Sequence, residues 1–534
     1  MNNRDVDLMK LRKGKGKQKK EENDSEAQLE TAEFAAEKVQ PTFREHYPLF
    51  APYSRAAIVE DAKGGTKYLL LEPTLTPFDE AWISKIHDIL WDELYLSSKD
   101  FESKEEAEDF LKNKVEDTAK KYKIEVDPHT LDKYQYYITR DFLNFGKIDG
   151  LMRDEHIEDI SCDGAGYPFY VWHRKYESIP TNMFFKTQEE LDSFILKLAY
   201  LCGRNISIAQ PLLDGTLPDG SRAQLTFGTE VTPKGSTFTI RKFKSSPLTI
   251  TDLIIYKTLS PEMAAYFWYL IENRHSAMIG GDIGGGKTTM LNAFSLFIRP
   301  TLKIVSIEDT QEIRLPHENW QMMVTRQGLG TGSGAIGEKG RGAISMFDLL
   351  RAAFRQRPDY IVVGEIRGEE AYALFQAMST GHLGLTTIHA ENVQGVLHRL
   401  TTKPMDIPHT LVENLDAIAI VRKMVVGGVS LRRTLAVSEV LGWDSEKDYF
   451  KTHDVFRWDA KKDLYEYTGE SQLLKEISSQ WGYSMREINQ ELKKRKVILD
   501  YLVRKHIRTY ADVSRIILDY FSDPEAVYRK AKVS

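Results

Sequence analysis

Gly281 to Thr288 reads G-D-I-G-G-G-K-T, a full match to G-x-x-x-x-G-K-[ST]. Glycines in such a run let successive backbone N–H groups turn inward around an anion. The run follows a short apolar stretch and opens an apparent helix, "TTMLNAFSLFI", whose N-terminus adds partial positive charge. The chemistry implied is the cradling of ATP with Mg2+. The nucleotide-binding set is Gly281, Gly284, Gly285, Gly286, Lys287, Thr288 and Thr289. Lys287 would reach the β- and γ-phosphates, and the Thr288 hydroxyl would ligate Mg2+. The bland alternative is a chance glycine-rich turn, and the correct flank on each side weighs against it.

Three further segments carry groups that could act on a bound phosphate. In "RPDYIVVGEIRGEEA" an apolar strand delivers Glu365 to its end, 78 residues after Lys287. A carboxylate there can hold Mg2+, partly through water, or orient the attacking water. In "KIVSIEDTQEIRLPHENW" a second apolar strand ends in Glu308 and Asp309, and Glu308 could act as general base or water-positioner. Their alternative is capping or ion pairing. In "STGHLGLTTIHAEN" His382 and His389 bracket another apolar strand. Their spacing is wrong for a helical metal pair, and no cysteines complete a zinc site. One imidazole could instead sense the γ-phosphate, with His382 slightly favoured over His389 and a structural role as the alternative.

These groups need a scaffold that brings strand ends together. From about residue 251, helical stretches alternate with the apolar runs "SAMIGG", "KIVSIED", "YIVVGE" and "LGLTTIHA". That alternation predicts an α/β domain with a parallel-rich sheet covered by helices. In it the "KIVSIED" strand is expected to neighbour the P-loop strand. The domain is expected to span 251–534, with a helical region from about 471. Residues 45–243 read as an α+β N-terminal domain, helical to about 145 and then built of short strands and turns. "KSSPLTI" (244–250) reads as a linker, and 1–44 as a disordered charged tail. Seven glycines between Thr325 and Ser345 suggest a flexible loop.

Composition narrows the function classes. The chain has 534 residues and a formal net charge of −6, which gives no support for a protein that coats nucleic acid. Its two cysteines, Cys162 and Cys202, cannot make a disulfide framework or a four-thiolate zinc site. No apolar run approaches the ~18 residues of a membrane span. A cytoplasmic protein is expected, with any membrane association through partners or the surface. The tail carries seven basic residues within the eleven from Lys10 to Lys20, a candidate contact for anionic lipid.

The four motifs occur in one order: P-loop, "IEDT…LPH", "RPDYIVVGEIRG", "TGH…TTIHA". That order resembles the secretion-superfamily ATPases of type II and type IV secretion, type IV pili and archaella, over roughly residues 151–459. The resemblance implies a RecA-like motor domain behind an N-terminal domain. It also implies a homo-hexamer at the cytoplasmic membrane face, driving a filament machine through an integral membrane platform protein. Arginines of the N-terminal domain reach the nucleotide at a subunit junction in such enzymes. The matching positions are Arg222 in "LPDGSR" and Arg241 in "TIRKF". The missing four-cysteine element and the ending "LRRTLAVSEVLGWD…DVFRWDAKKD" resemble the archaeal branch. Within it the archaellum motor ATPase is the first choice and the archaeal type IV pilus assembly ATPase the second. A nucleic-acid translocase is a distant alternative that would need a basic, aromatic-studded stripe, and a non-hydrolysing scaffold is disfavoured by the intact Lys287, Glu308 and Glu365.

Overall fold

The computed structural model describes residues 42–60, 64–93, 103–122, 127–243, 247–326, 342–426 and 429–533. The basic tail and most of the glycine-rich loop lie outside these residues. The chain divides into two units, one running to Phe243 and one beginning at Lys244.

The first unit opens with a meander the sequence reading did not anticipate. Strands β1 (Thr42–Phe50), β2 (Ser54–Glu60) and β3 (Thr66–Leu71) form an antiparallel sheet in that order. The strand therefore starts inside the stretch read as tail. Helices Pro77–Glu93, Lys104–Lys121 and Pro128–Leu143 follow, sharing a core of Ile86, Leu90, Leu111, Val115, Tyr134 and Ile138. The second and third begin on side-chain caps. Ser103 accepts the Glu106 N–H at 3.1 Å and Asp127 that of Thr130 at 3.0 Å, satisfying donors a helix start leaves unpaired.

The remainder of this unit is a second antiparallel sheet. Its strands are β4 (Ile157–Cys162), β5 (Tyr170–His173), β6 (Glu177–Pro180), β7 (Leu212–Thr216), β8 (Arg222–Thr226) and β9 (Thr237–Arg241). They lie in the order β6-β5-β4-β9-β8-β7. Helix Gln188–Leu201 covers it, burying Leu191, Ile195 and Leu198, the i, i+4, i+7 stripe of an amphipathic helix.

The second unit is built on one sheet of nine strands. These are β10 (Ala277–Gly281), β11 (Ile304–Glu308), β12 (Trp320–Val324), β13 (Tyr360–Val363), β14 (Leu383–His389), β15 (Ala417–Val426), β16 (Val429–Asp444), β17 (Tyr449–Asp459) and β18 (Leu464–Tyr467). Their order is β12-β11-β13-β14-β10-β15-β16-β17-β18, parallel from β12 to β15 and antiparallel beyond. β10, β11 and β13 are buried along their whole length, which is why they read as continuous apolar runs. Helices cover both faces, and those of the C-terminal region join the core on one of them through Leu474, Ile498, Leu502, Ile517 and Tyr520. This is the α/β P-loop architecture the resemblance implies.

One expectation is corrected. The "KIVSIED" strand, β11, does not neighbour the P-loop strand, because β13 and β14 lie between them. Sequential strands pair only as a tendency. Here the chain crosses from β10 to β11 and leaves two places in the sheet, which later strands fill. The crossing also makes β10 the point where connections depart to opposite sides, and the crevice beyond its carboxyl end is where such sheets bind ligands.

Candidate active site

β10 ends at Gly281, whose register partners are His389 on β14 and Val421 on β15. A Cβ on Gly281 would stand 2.1 Å from the Val421 carbonyl oxygen, so only glycine fits there. The loop then turns through Gly284 at φ +70° and Gly286 at φ +96°, backbone that side chains strain to adopt. Gly286 caps helix Lys287–Ser295 without a side chain, leaving the first-turn N–H groups of Lys287, Thr288 and Thr289 to face whatever occupies the loop. Gly285 is buried within the loop, and the hydroxyl-bearing Thr288 and Thr289 are half-buried.

Lys287 is buried, with its side chain 8% exposed. Its ammonium donates to the Asp282 carbonyl at 3.0 Å, lies 3.1 Å from His389 Nδ1, and lies 3.9 Å from Glu365 Oε1. Three motifs distant in sequence thus converge on one cation. Glu365, just past β13, is held from its other side by the Arg367 guanidinium, whose Nε donates to Oε2 at 2.9 Å and whose Nη2 also contacts that oxygen. Its Oε1 stands 2.8 Å from His389 Nε2 but out of line for a hydrogen bond, so this buried oxygen has no hydrogen-bond partner. The orphaned Glu365 oxygen and the half-buried Thr288 hydroxyl are hard-oxygen donors of the kind that suits Mg2+. Burial and the neighbouring Lys287 charge push the His389 imidazole below its ordinary pKa, so it is neutral near pH 7.

Glu308 ends β11 one strand away from Glu365. Ile307 is level with Val363, so Glu308 meets the Gly364 backbone, where a Cβ would come within 3.2 Å of its Cγ. Glu308 is 3% exposed. Burial raises its pKa to about 7, against the opposing effect of two N–H groups, of Glu312 and Ile313, which donate to Oε1 at 3.0 Å each. A carboxyl poised near neutrality has the affinity a general base needs. Asp309 turns outward instead, taking the Thr325 hydroxyl at 3.2 Å.

His382 is corrected as the favoured sensor. It sits before the first residue of β14, whereas His389 is that strand's last residue. Seven residues at ~3.3 Å each put roughly 20 Å of strand backbone between the two histidines. His382 instead contacts the Ala377 carbonyl at 3.2 Å and the Thr380 hydroxyl at 3.3 Å, closing the turn that leads into the strand.

Arg222 and Arg241 belong to the first unit, where they are direct cross-strand partners on β8 and β9. Both are exposed, and among the described residues Arg222 has Asp214, at 3.9 Å, as its ion-pair partner. Like charges facing each other across a strand pair oppose folding.

Sequence reasoning missed three arginines. Arg367 lay within a quoted motif, yet its hold on Glu365 needs the turn geometry. Arg422 on β15 bonds Asp282 Oδ2 at 3.1 Å, and Arg432 on β16 donates to the Gly284 carbonyl at 3.0 Å. Their only signal is a pair of basic doublets, "RK" and "RR", on strands whose register no pattern discloses.

The family described as type II/IV secretion system protein matches residues 151–430, and one described as PilB3-like, C-terminal, matches 463–534. An uncharacterized protein of Methanocaldococcus jannaschii is 37% identical over 482 residues, 85% of each chain. The type IV secretion system protein PtlH of Bordetella pertussis is 30% identical over 284 residues, 47% of this chain and 81% of that one. Among solved structures, the VirB11 ATPase of the Brucella suis type IV secretion system aligns at 22% identity over 53% of this chain and 92% of that chain, TM-score 0.27. The pilus retraction motor PilT with bound ADP aligns at 20% identity over 55% and 81%, TM-score 0.38. With a family match over more than half its length and a relative aligned over most of both chains, this protein belongs to the type II/IV secretion system protein family.

Proposed function

We propose that the chain is an Mg-ATP-hydrolysing motor subunit of an archaeal secretion or type IV pilus-like filament machine, working as a homo-hexamer at the cytoplasmic membrane face. The observation that carries this reading is the convergence of Lys287, Glu365 and His389 on the P-loop, with Glu308 on the neighbouring strand. Lys287 and the first-turn N–H groups bind the β- and γ-phosphates. Thr288 and Glu365 would hold Mg2+, which neutralises developing phosphate charge. Glu308 takes a proton from the attacking water, and neutral His389 bonds the γ-phosphate side of the site. Arg222 and Arg241 stand side by side and exposed on β8 and β9, a pair that suits an anion. In a ring that anion is the phosphate of an adjacent subunit.

Between the two filament readings, the PilB3-like match of the C-terminal region supports pilus assembly over the archaellum motor, and the identity to an archaeal relative supports the archaeal branch. A membrane platform protein is the expected partner, and nucleic acid is not.

The test is ATP binding measured beside turnover. Glu365→Gln keeps size and loses charge, so ATP should still bind while hydrolysis drops by orders of magnitude. Lys287→Ala should lose both. If Glu365→Gln retains turnover, or loses binding as fully as Lys287→Ala does, the assignment of Glu365 is wrong.

A further inference from the structure

The groups that would serve the γ-phosphate all lie on one side of β10. Lys287 leans toward His389 on β14 and Glu365 after β13, at 3.1 and 3.9 Å. β15 and β16 lie on the other side of β10. A triphosphate that runs along the sheet edge from a γ end at β13 and β14 brings its α-phosphate and nucleoside toward β15 and β16. What stands there is therefore a candidate for recognising that end.

Two arginines stand there, and their surroundings differ. Arg422 is neutralised by Asp282, 3.1 Å away, and has Glu391 at 3.9 Å. Arg432 has no carboxylate within ion-pair distance among the described residues. Its Nε donates to the Gly284 carbonyl at 3.0 Å. That bond holds the guanidinium against the loop. Its Cδ would meet a Cβ on Gly286 at 3.3 Å, so the missing side chain lets the arginine lie against the loop. A guanidinium is planar, so fixing Nε fixes the plane that carries the four Nη hydrogens. Those donors have no hydrogen-bond partner among the described residues. The result is a cation held at the loop with no carboxylate partner among the described residues.

We propose that Arg432 binds the α-phosphate of the nucleotide. The proposal rests on the reading of the P-loop as an ATP site. Lys287 then serves the β- and γ-phosphates and Arg432 the α. The Arg422–Asp282 pair holds the loop's first turn without touching the nucleotide. Such a contact is charge-assisted and directional, so it depends on which α-oxygen faces the arginine.

The experiment uses the full chain and the two diastereomers of ADPαS, each displacing a fluorescent ADP analogue without divalent cation. Wild type should bind one diastereomer on the order of fivefold more tightly, because sulfur in the accepting position weakens a hydrogen bond. Arg432→Ala should bind ADP on the order of tenfold more weakly and lose the preference. Arg432→Lys should recover part of the affinity and little of the preference, because its charge is not forked. An Arg432→Ala protein that binds more weakly but keeps the preference would show that the arginine only shapes the loop, and would overturn the proposal. So would a wild type without preference. Failure of wild type to bind the ADP analogue at all is a different result, which removes the nucleotide site itself.

Discussion

Replacing Glu308 by glutamine separates a base from a structural carboxylate. The group is 3% exposed, and burial lifts its pKa from an ordinary 4.5 to about 7. That rise is equivalent to roughly 3 kcal/mol between the two protonation states. The folded state binds the extra proton, so the contribution is fully present below pH 4.5 and is lost as pH rises through about 7. Above pH 7 the wild type carries a buried charge that glutamine lacks. The glutamine carbonyl can still accept the Glu312 and Ile313 N–H groups. Glu308→Gln should therefore match wild type at pH 4.5 and exceed it by about 2–3 kcal/mol at pH 8.5, or several degrees in Tm. The reading is taken by thermal unfolding of both proteins across that range. If Glu308 is the base, wild-type turnover should fall about tenfold per pH unit below 7, and Glu308→Gln should lose turnover at every pH. A gap in Tm that does not widen with pH would refute the buried-charge argument. Retained turnover would refute the role as base.

The remaining expectations concern parts around that centre. Mixing Arg241→Ala subunits with Lys287→Ala subunits should restore activity that neither has alone, provided the arginine acts across a junction; no recovery in mixed assemblies refutes the trans role. Gly281→Ala would put a methyl 2.1 Å from the Val421 carbonyl, so the denaturation midpoint should fall by the equivalent of about 1–3 kcal/mol and ADP affinity with it. An unchanged midpoint would mean β10 and β15 are less tightly apposed than described. A variant lacking residues 1–41, which leaves β1 whole, should keep ATPase activity but lose salt-sensitive binding to anionic liposomes. Each tail cation adds about 1 kcal/mol at most at such a surface, and equal liposome binding by the two proteins would make the tail a leader only.

What the sequence determined by itself was local chemistry. A glycine-lysine-threonine run opening a helix admits few other readings, because backbone that must curl around an anion excludes side chains at fixed positions. The strands that lead to Glu308, Glu365 and His389 were legible because they are buried on both faces and so read as unbroken apolar runs. The meander Thr42–Leu71 was missed because its polar and aromatic residues follow no clean period. The antiparallel extension β16–β18 was missed because its strands alternate sides only partly.

Only the tertiary structure decided which ends meet. Strand order is set by crossovers and by packing on two helical layers, neither of which leaves a mark in local pattern. That is why β11 was expected beside β10 and is not. It is also why His382, the slightly favoured histidine, and His389 part by the length of a strand. Arg422 and Arg432 reach the P-loop only through the register of β15 against β10 and of β16 against β15. Register is a relation between distant segments, so no single segment carries it.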